Sequence, residues 1–138
     1  MTTLHEYKLY NCYIKIFELP IYKSKICFVK YKSLRGYQKG IDFLKDINVD
    51  TSIIDDIEWS KCYGFVDQKR STLGTLHIVF MNVSHKDYIK YYKDTLSHEG
   101  THLVQNICEH VGLEHHKRSA NEHIAYLTGY LLNYLHTL

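Results

Sequence analysis

Ile89, Tyr92, Leu96, Leu103, Val104, Ile107 and Val111 fall in one arc when the chain is projected at about 100° per residue. This stretch constrains the fold most, because a long run with a single apolar arc is satisfied only as a helix laid against a core. His98 and His102 stand on a different stripe, with Tyr91, Thr95, Gln105 and Glu109. Residues four apart share one helix face, so the two imidazoles can grip a single zinc ion, which prefers nitrogen ligands in tetrahedral geometry. Glu99 projects about 100° away from His98. From there it can take a proton from water activated by the metal rather than bind the metal itself. Their position outside the apolar arc argues against ordinary core histidines.

The surrounding residues frame this segment. Ser84 or Asp87 is placed to cap the helix at its start, and Gly112 to stop it after Val111. A polar connection follows, and a second helix is predicted from Ser119-Ala120-Asn121-Glu122 to about residue 135. Ile124, Leu127, Leu131 and Leu135 make its apolar arc, and Glu122, Tyr126, Gly129 and Asn133 line a separate stripe. A helical hairpin would bring the two polar stripes together.

His98-Glu99-Gly100-Thr101-His102, followed by a second helix with Asn121-Glu122, resembles the gluzincin branch of zincin metallopeptidases over roughly residues 75–135. The Asn-Glu pair is similar to that of thermolysin-type enzymes, and Glu122 lies 20 residues after His102. The resemblance implies that His98, His102 and Glu122 bind Zn2+ and that Glu99 acts as general base and then proton donor. It further implies a peptide or protein substrate paired with an edge strand ahead of the metal-bearing helix, a place that residues 75–83 occupy in order along the chain. The chain departs from the pattern at Tyr126, where thermolysin-type enzymes carry an aspartate that orients a histidine ligand. Four residues are candidates to stabilise the tetrahedral intermediate, namely His115, His116, His123 and Tyr130. Rivals for the third metal position are Cys108, where the metzincin pattern has its last histidine, and His115 or His116. Glu122 has a structural alternative as well, since Ser119 to Glu122 fits a capping box.

Ahead of that region, β-branched and aromatic enrichment predicts strands at residues 7–18 and 25–32, paired as a hairpin across 19–24. Leu34, Tyr37, Ile41, Leu44 and Ile47 recur at helical spacing behind Ser33, a predicted N-cap. Gly36 and Gly40 weaken that helix. Asp50 can cap a short helix at 51–57, whose acidic cluster Asp55, Asp56 and Glu58 reads as a solvated face. Strands are predicted at 59–66 and 75–83 with a turn over 67–74; the run 76–81 is apolar on both faces and suits an inner strand, and His77 within it reads as a packed or hydrogen-bonded histidine.

The expectation is therefore an α+β fold, one domain over residues 1–138. A small mixed or antiparallel sheet carries a zincin-like helix and a C-terminal helix that supplies the third ligand. A hydrophobic content of 45% excludes a disordered chain, and no apolar run approaches the roughly 20 residues that cross a bilayer. A formal net charge of +2, from 17 basic and 15 acidic residues, gives no reason to invoke nucleic acid or a membrane surface. Cys12, Cys27, Cys62 and Cys108 are well separated, and no apolar signal segment opens the chain, so free thiols in a cytoplasmic protein are expected. The expected function is a zinc-dependent metallopeptidase. The alternative is a zincin-like zinc-binding regulatory or interaction protein without peptidase activity. The oligomeric state is left open.

Overall fold

The computed structural model describes residues 1–138 apart from 10, 56–61, 85–87 and 114–117. It is a mixed α+β fold. Five strands form one sheet: β1 (Thr2–Leu9), β2 (Cys12–Glu18), β3 (Lys25–Tyr31), β4 (Gly64–Ser71) and β5 (Gly74–Asn82), in the order β1-β2-β3-β5-β4. All neighbours are antiparallel except β3 and β5, which run parallel from the Lys25–Leu76 pair to the Tyr31–Asn82 pair. A parallel step cannot be closed by a tight turn. The chain leaves β3 through helices α1 (Leu34–Asp46) and α2 (Ser52–Asp55), and lays down β4 before it returns as β5. Helices α3 (Tyr88–His110) and α4 (Arg118–Leu135) complete the order. No helix among the described residues is long and apolar enough to cross a membrane.

Side chains alternate between the two faces of the sheet and create two cores. Ile14, Ile16, Val29, Ile78 and Phe80 face α1, with Tyr37, Ile41 and Leu44 over them. Phe17, Ile26, Phe28, Val79 and Met81 face the other way and are covered by Leu96, Leu103, Val104 and Ile107 of α3 and Leu127, Leu131 and Leu135 of α4. These are the residues of the predicted arcs. Tyr92, Val111 and Ile124 of those arcs are only partly buried.

Helix ends follow their sequence signals. The Ser33 hydroxyl accepts from the Gly36 amide at 3.0 Å, and the Asp50 carboxylate accepts from the Ser52 amide at 3.0 Å. Gly112, at φ +77°, ends α3 as a Schellman motif: the Leu113 amide donates to the Cys108 carbonyl and the Gly112 amide to the Glu109 carbonyl. Asp87, one of the two predicted caps of α3, lies outside the described residues. So do Asp56 and Glu58 of the acidic cluster, and the side chains of Asp55 and of Ser119 in the capping box.

Two strand expectations are corrected and a third holds. Residues 7–18 are not one strand, because the chain reverses near Asn11, at φ +55°, and pairs β1 with β2. Asparagine tolerates the left-handed region, so the turn needs no glycine to announce it. Residues 67–71, predicted as turn, belong to β4, and the reversal is confined to Thr72-Leu73 with Gly74 at φ +95°. The charged run Asp67-Gln68-Lys69-Arg70 suits a sheet edge, where charged side chains discourage further pairing. The apolar run 76–81 is an inner strand as expected, since β5 lies between β3 and β4, and the edge beside α3 is β4.

Candidate functional site

Helix α3 presents His98 and His102 to solvent, off its buried arc. Their Nε2 atoms face each other at 3.1 Å, with the rings nearly perpendicular at 83°. Two imidazoles bound to one tetrahedral zinc at Zn–N of about 2.05 Å hold their nitrogens roughly 3.3 Å apart. The separation is close to that distance and is also that of a direct hydrogen bond between the two rings. His102 Nδ1 lies 3.3 Å from Gln105 Oε1, an i,i+3 contact along the helix. A proton on Nδ1 donated to that amide oxygen leaves the Nε2 lone pair directed at His98.

Glu99 differs from its neighbours in burial. It is 7% exposed, against a core side of α3, where the start of β4 abuts it. A Cβ built on Gly64 would sit 3.1 Å from Glu99 Cγ and 3.0 Å from the Phe80 carbonyl oxygen, so the close approach depends on glycine there. Burial pushes the Glu99 carboxyl above its ordinary pKa, and the charges of His98 and His102 oppose the rise. Tyr63, Gly64, Asp94, Thr95, His98 and Glu99 line one open cleft of about 460 Å³. Cys62 stands next to it, its thiol donating to the Gly64 carbonyl at 3.3 Å and burial raising its pKa.

Glu122 is not brought to this pair. Helices α3 and α4 run antiparallel; two contacts fix their register, and a third anchors the start of α4 to the sheet side. Ser97 Oγ meets His136 Nε2 at 3.3 Å, Gly100 faces Leu132 and Leu135, and Tyr22 from the β2–β3 connection bonds His123. Residues near 132–136 thus stand level with the histidines. Glu122 is exposed ten positions earlier on α4, about 15 Å back along the axis at 1.5 Å per residue. Among the described residues, no three His, Cys, Asp or Glu side chains gather where they could hold a metal ion.

The other candidates are dispersed. Cys108 is fully buried in the core beneath α3 and α4, with its thiol pKa raised by burial. His123 is engaged with Tyr22, and Tyr130 is 47% exposed on α4; neither lines the cleft. Tyr126, at the position of the missing aspartate, is 80% exposed. His115 and His116 lie outside the described residues. Tyr63, Gly64 and Cys62 were not singled out from sequence, because their approach to Glu99 depends on how β4 pairs. Gln105 was on the histidine stripe, and its spacing of three from His102 was the signal for its role.

Comparison of the chain with protein-family models, with curated proteins and with solved structures gives no match.

Proposed function

We propose that the chain is a zinc-dependent metallopeptidase that acts on extended peptide laid beside β4. The observation that carries this reading is the 3.1 Å facing pair of His98 and His102 with Glu99 buried one position along, at the start of an edge strand. His98 and His102 are the protein donors assigned to Zn2+, and the donor chemistry fits, since neutral imidazole is a preferred zinc ligand. Zinc, when bound, supplies Lewis acidity that polarises a peptide carbonyl and activates water.

The protein side of the reaction rests on Glu99. Its carboxylate accepts a proton from the attacking water and passes it to the departing amine nitrogen. A carboxyl raised above its ordinary pKa is better matched to both tasks near neutral pH. Gln105 orients His102, as outer partners of metal-binding histidines commonly do. The outer edge of β4 offers backbone groups to an extended chain, in the manner of strand addition. Four unpaired thiols, Cys12, Cys27, Cys62 and Cys108, suit a reducing, cytoplasmic setting.

A second reading is a zinc-binding regulatory or interaction protein without peptidase activity. It is favoured by one observation: no third donor joins the histidines among the described residues, whereas catalytic zinc sites usually have three protein ligands. Metal analysis of untagged protein, run beside cleavage of a peptide library, separates the two. Peptidase action requires zinc in the wild type, its loss in His98→Ala, and a Glu99→Gln protein that keeps zinc but cleaves nothing. Full cleavage by Glu99→Gln would overturn the mechanism, and stoichiometric zinc without any cleavage supports the second reading. Glu122→Ala should retain zinc, and loss of the metal there would restore Glu122 as a ligand.

A further inference from the structure

Away from the histidines, an open cavity of about 670 Å³ lies at the β1–β2 side of the sheet, with Thr137 and Leu138 on its rim. Four lysines line it, Lys8, Lys15, Lys30 and Lys32, against one glutamate, Glu6. It shares no lining residue with the cleft at Glu99.

Strand register makes the lysines converge. Lys8, Tyr13 and Lys30 occupy one row across β1, β2 and β3, so all three project on the same face. Lys15 lies two residues beyond Tyr13 on that face. The Lys8 and Lys30 amines stand 5.5 and 5.7 Å from the centre of the Tyr13 ring, and Lys15 stands 5.4 Å from that of Tyr134. The first two amines are therefore within about 11 Å of each other. Like charges gathered around one concavity repel one another unless they are neutralised. Their neutralisation here is incomplete. Glu6 lies 3.8 Å from Lys8 and also accepts from the Tyr13 hydroxyl at 3.0 Å, and Lys30 donates at 2.7 Å to a terminal oxygen of Leu138, which offsets part of its charge. Burial, then Lys32 and Lys8, hold the Lys30 amine below its ordinary pKa.

We propose that this cavity binds a small anion carrying two or more phosphate groups, held by Lys8, Lys15, Lys30 and Lys32. Lysine serves phosphate as a point charge, and several such charges spread around a concave site match a multiply charged anion better than a single halide. The volume lies within the usual range for small-ligand sites. A single-stranded nucleic acid is a poorer match, because binding of that kind uses open aromatic faces for base stacking. The two tyrosine rings here are already engaged by lysine amines.

Calorimetric titration of the full chain with inorganic pyrophosphate at low salt tests the assignment. One saturable site per chain is expected, weakened about tenfold or more in Lys8→Met and in Lys30→Met. Lys39→Met, on α1 at the opposite face of the sheet, should bind as the wild type does. Lys8 is largely exposed, so its variant keeps the test valid even if Lys30→Met loosens the Leu138 contact. Absence of a saturable site, equal weakening in Lys39→Met, or tighter binding of a single-stranded oligonucleotide than of pyrophosphate would each overturn the proposal.

Discussion

His77 in β5 is fully buried, and neither ring nitrogen has a hydrogen-bond partner among the described residues. Its neighbours are Ile26 of β3 and Gln68 of β4 in register, and the His110 ring of α3 at 5.5 Å. The sequence expectation of a packed histidine fits this setting, without the hydrogen bond that was its alternative. Burial first, and then the charge of His110, push its pKa down from 6.5 to about 4. The imidazole is therefore neutral in the folded protein, while the unfolded chain takes up a proton as pH falls through 6.5. Between 6.5 and 4 the unfolded state binds more protons, so stability drops with pH across that window and the loss is complete below about 4. The full penalty is roughly 3 kcal/mol, and roughly 2 kcal/mol is already lost at pH 5. Other groups titrate in the same range, so the measurement is a difference between wild type and His77→Leu. Urea unfolding at pH 7.5 and pH 5 should show the wild type losing about 2 kcal/mol more than the variant between the two. At pH 7.5 the two should be close in stability, because leucine replaces a buried polar group that has no partner. Equal pH dependence in both proteins would refute the reasoning.

Three further outcomes are expected. Gly100→Ala should lower stability by about 1–3 kcal/mol despite alanine's better helix propensity, since its Cβ would meet Leu132 Cδ2 at 2.3 Å; a raised melting temperature would contradict the α3–α4 register. Ser33→Ala should cost about 1 kcal/mol by removing the acceptor for the Gly36 amide, and an unchanged urea midpoint would deny the cap. Glu99 carries a raised carboxyl pKa, so the folded state holds its proton longer and wild-type stability falls as pH rises past the ordinary carboxylate range. Glu99→Gln should therefore gain on the wild type as pH rises above the ordinary carboxylate range in thermal melts, and a pH-independent difference would exclude the buried carboxylate.

Local signals were the legible part of this chain. Ser33, Asp50 and Gly112 act where their chemistry says they should, because a cap or a left-handed stop is decided within a few residues. The arcs of α3 and α4 were equally readable, since a helix cannot choose which of its residues share a face. Everything that depended on pairing was harder. The end of β4 was misplaced because its charged residues look like a turn until the strand is known to be an edge. The edge itself became visible only with the parallel step from β3 to β5. The histidine pair followed from spacing within one helix, whereas bringing Glu122 to it required a register between two helices. That register is set by Gly100, Ser97 and His136, residues whose importance no periodicity reveals.

Gly100 has a consequence for kinship. It occupies a position inside the His-Glu-x-x-His spacing that the chemistry leaves free, yet a Cβ there would meet Leu132 Cδ2, so the leucine would have to turn aside to admit a side chain. In this fold the two positions should therefore change together. A related chain carrying alanine or serine at position 100 is expected to have shortened the residue at 132, and one that keeps leucine at 132 is expected to keep glycine. Such a paired constraint, joining a site motif to a residue 32 positions downstream, would distinguish true descendants of this scaffold from unrelated chains that share only the five-residue spacing.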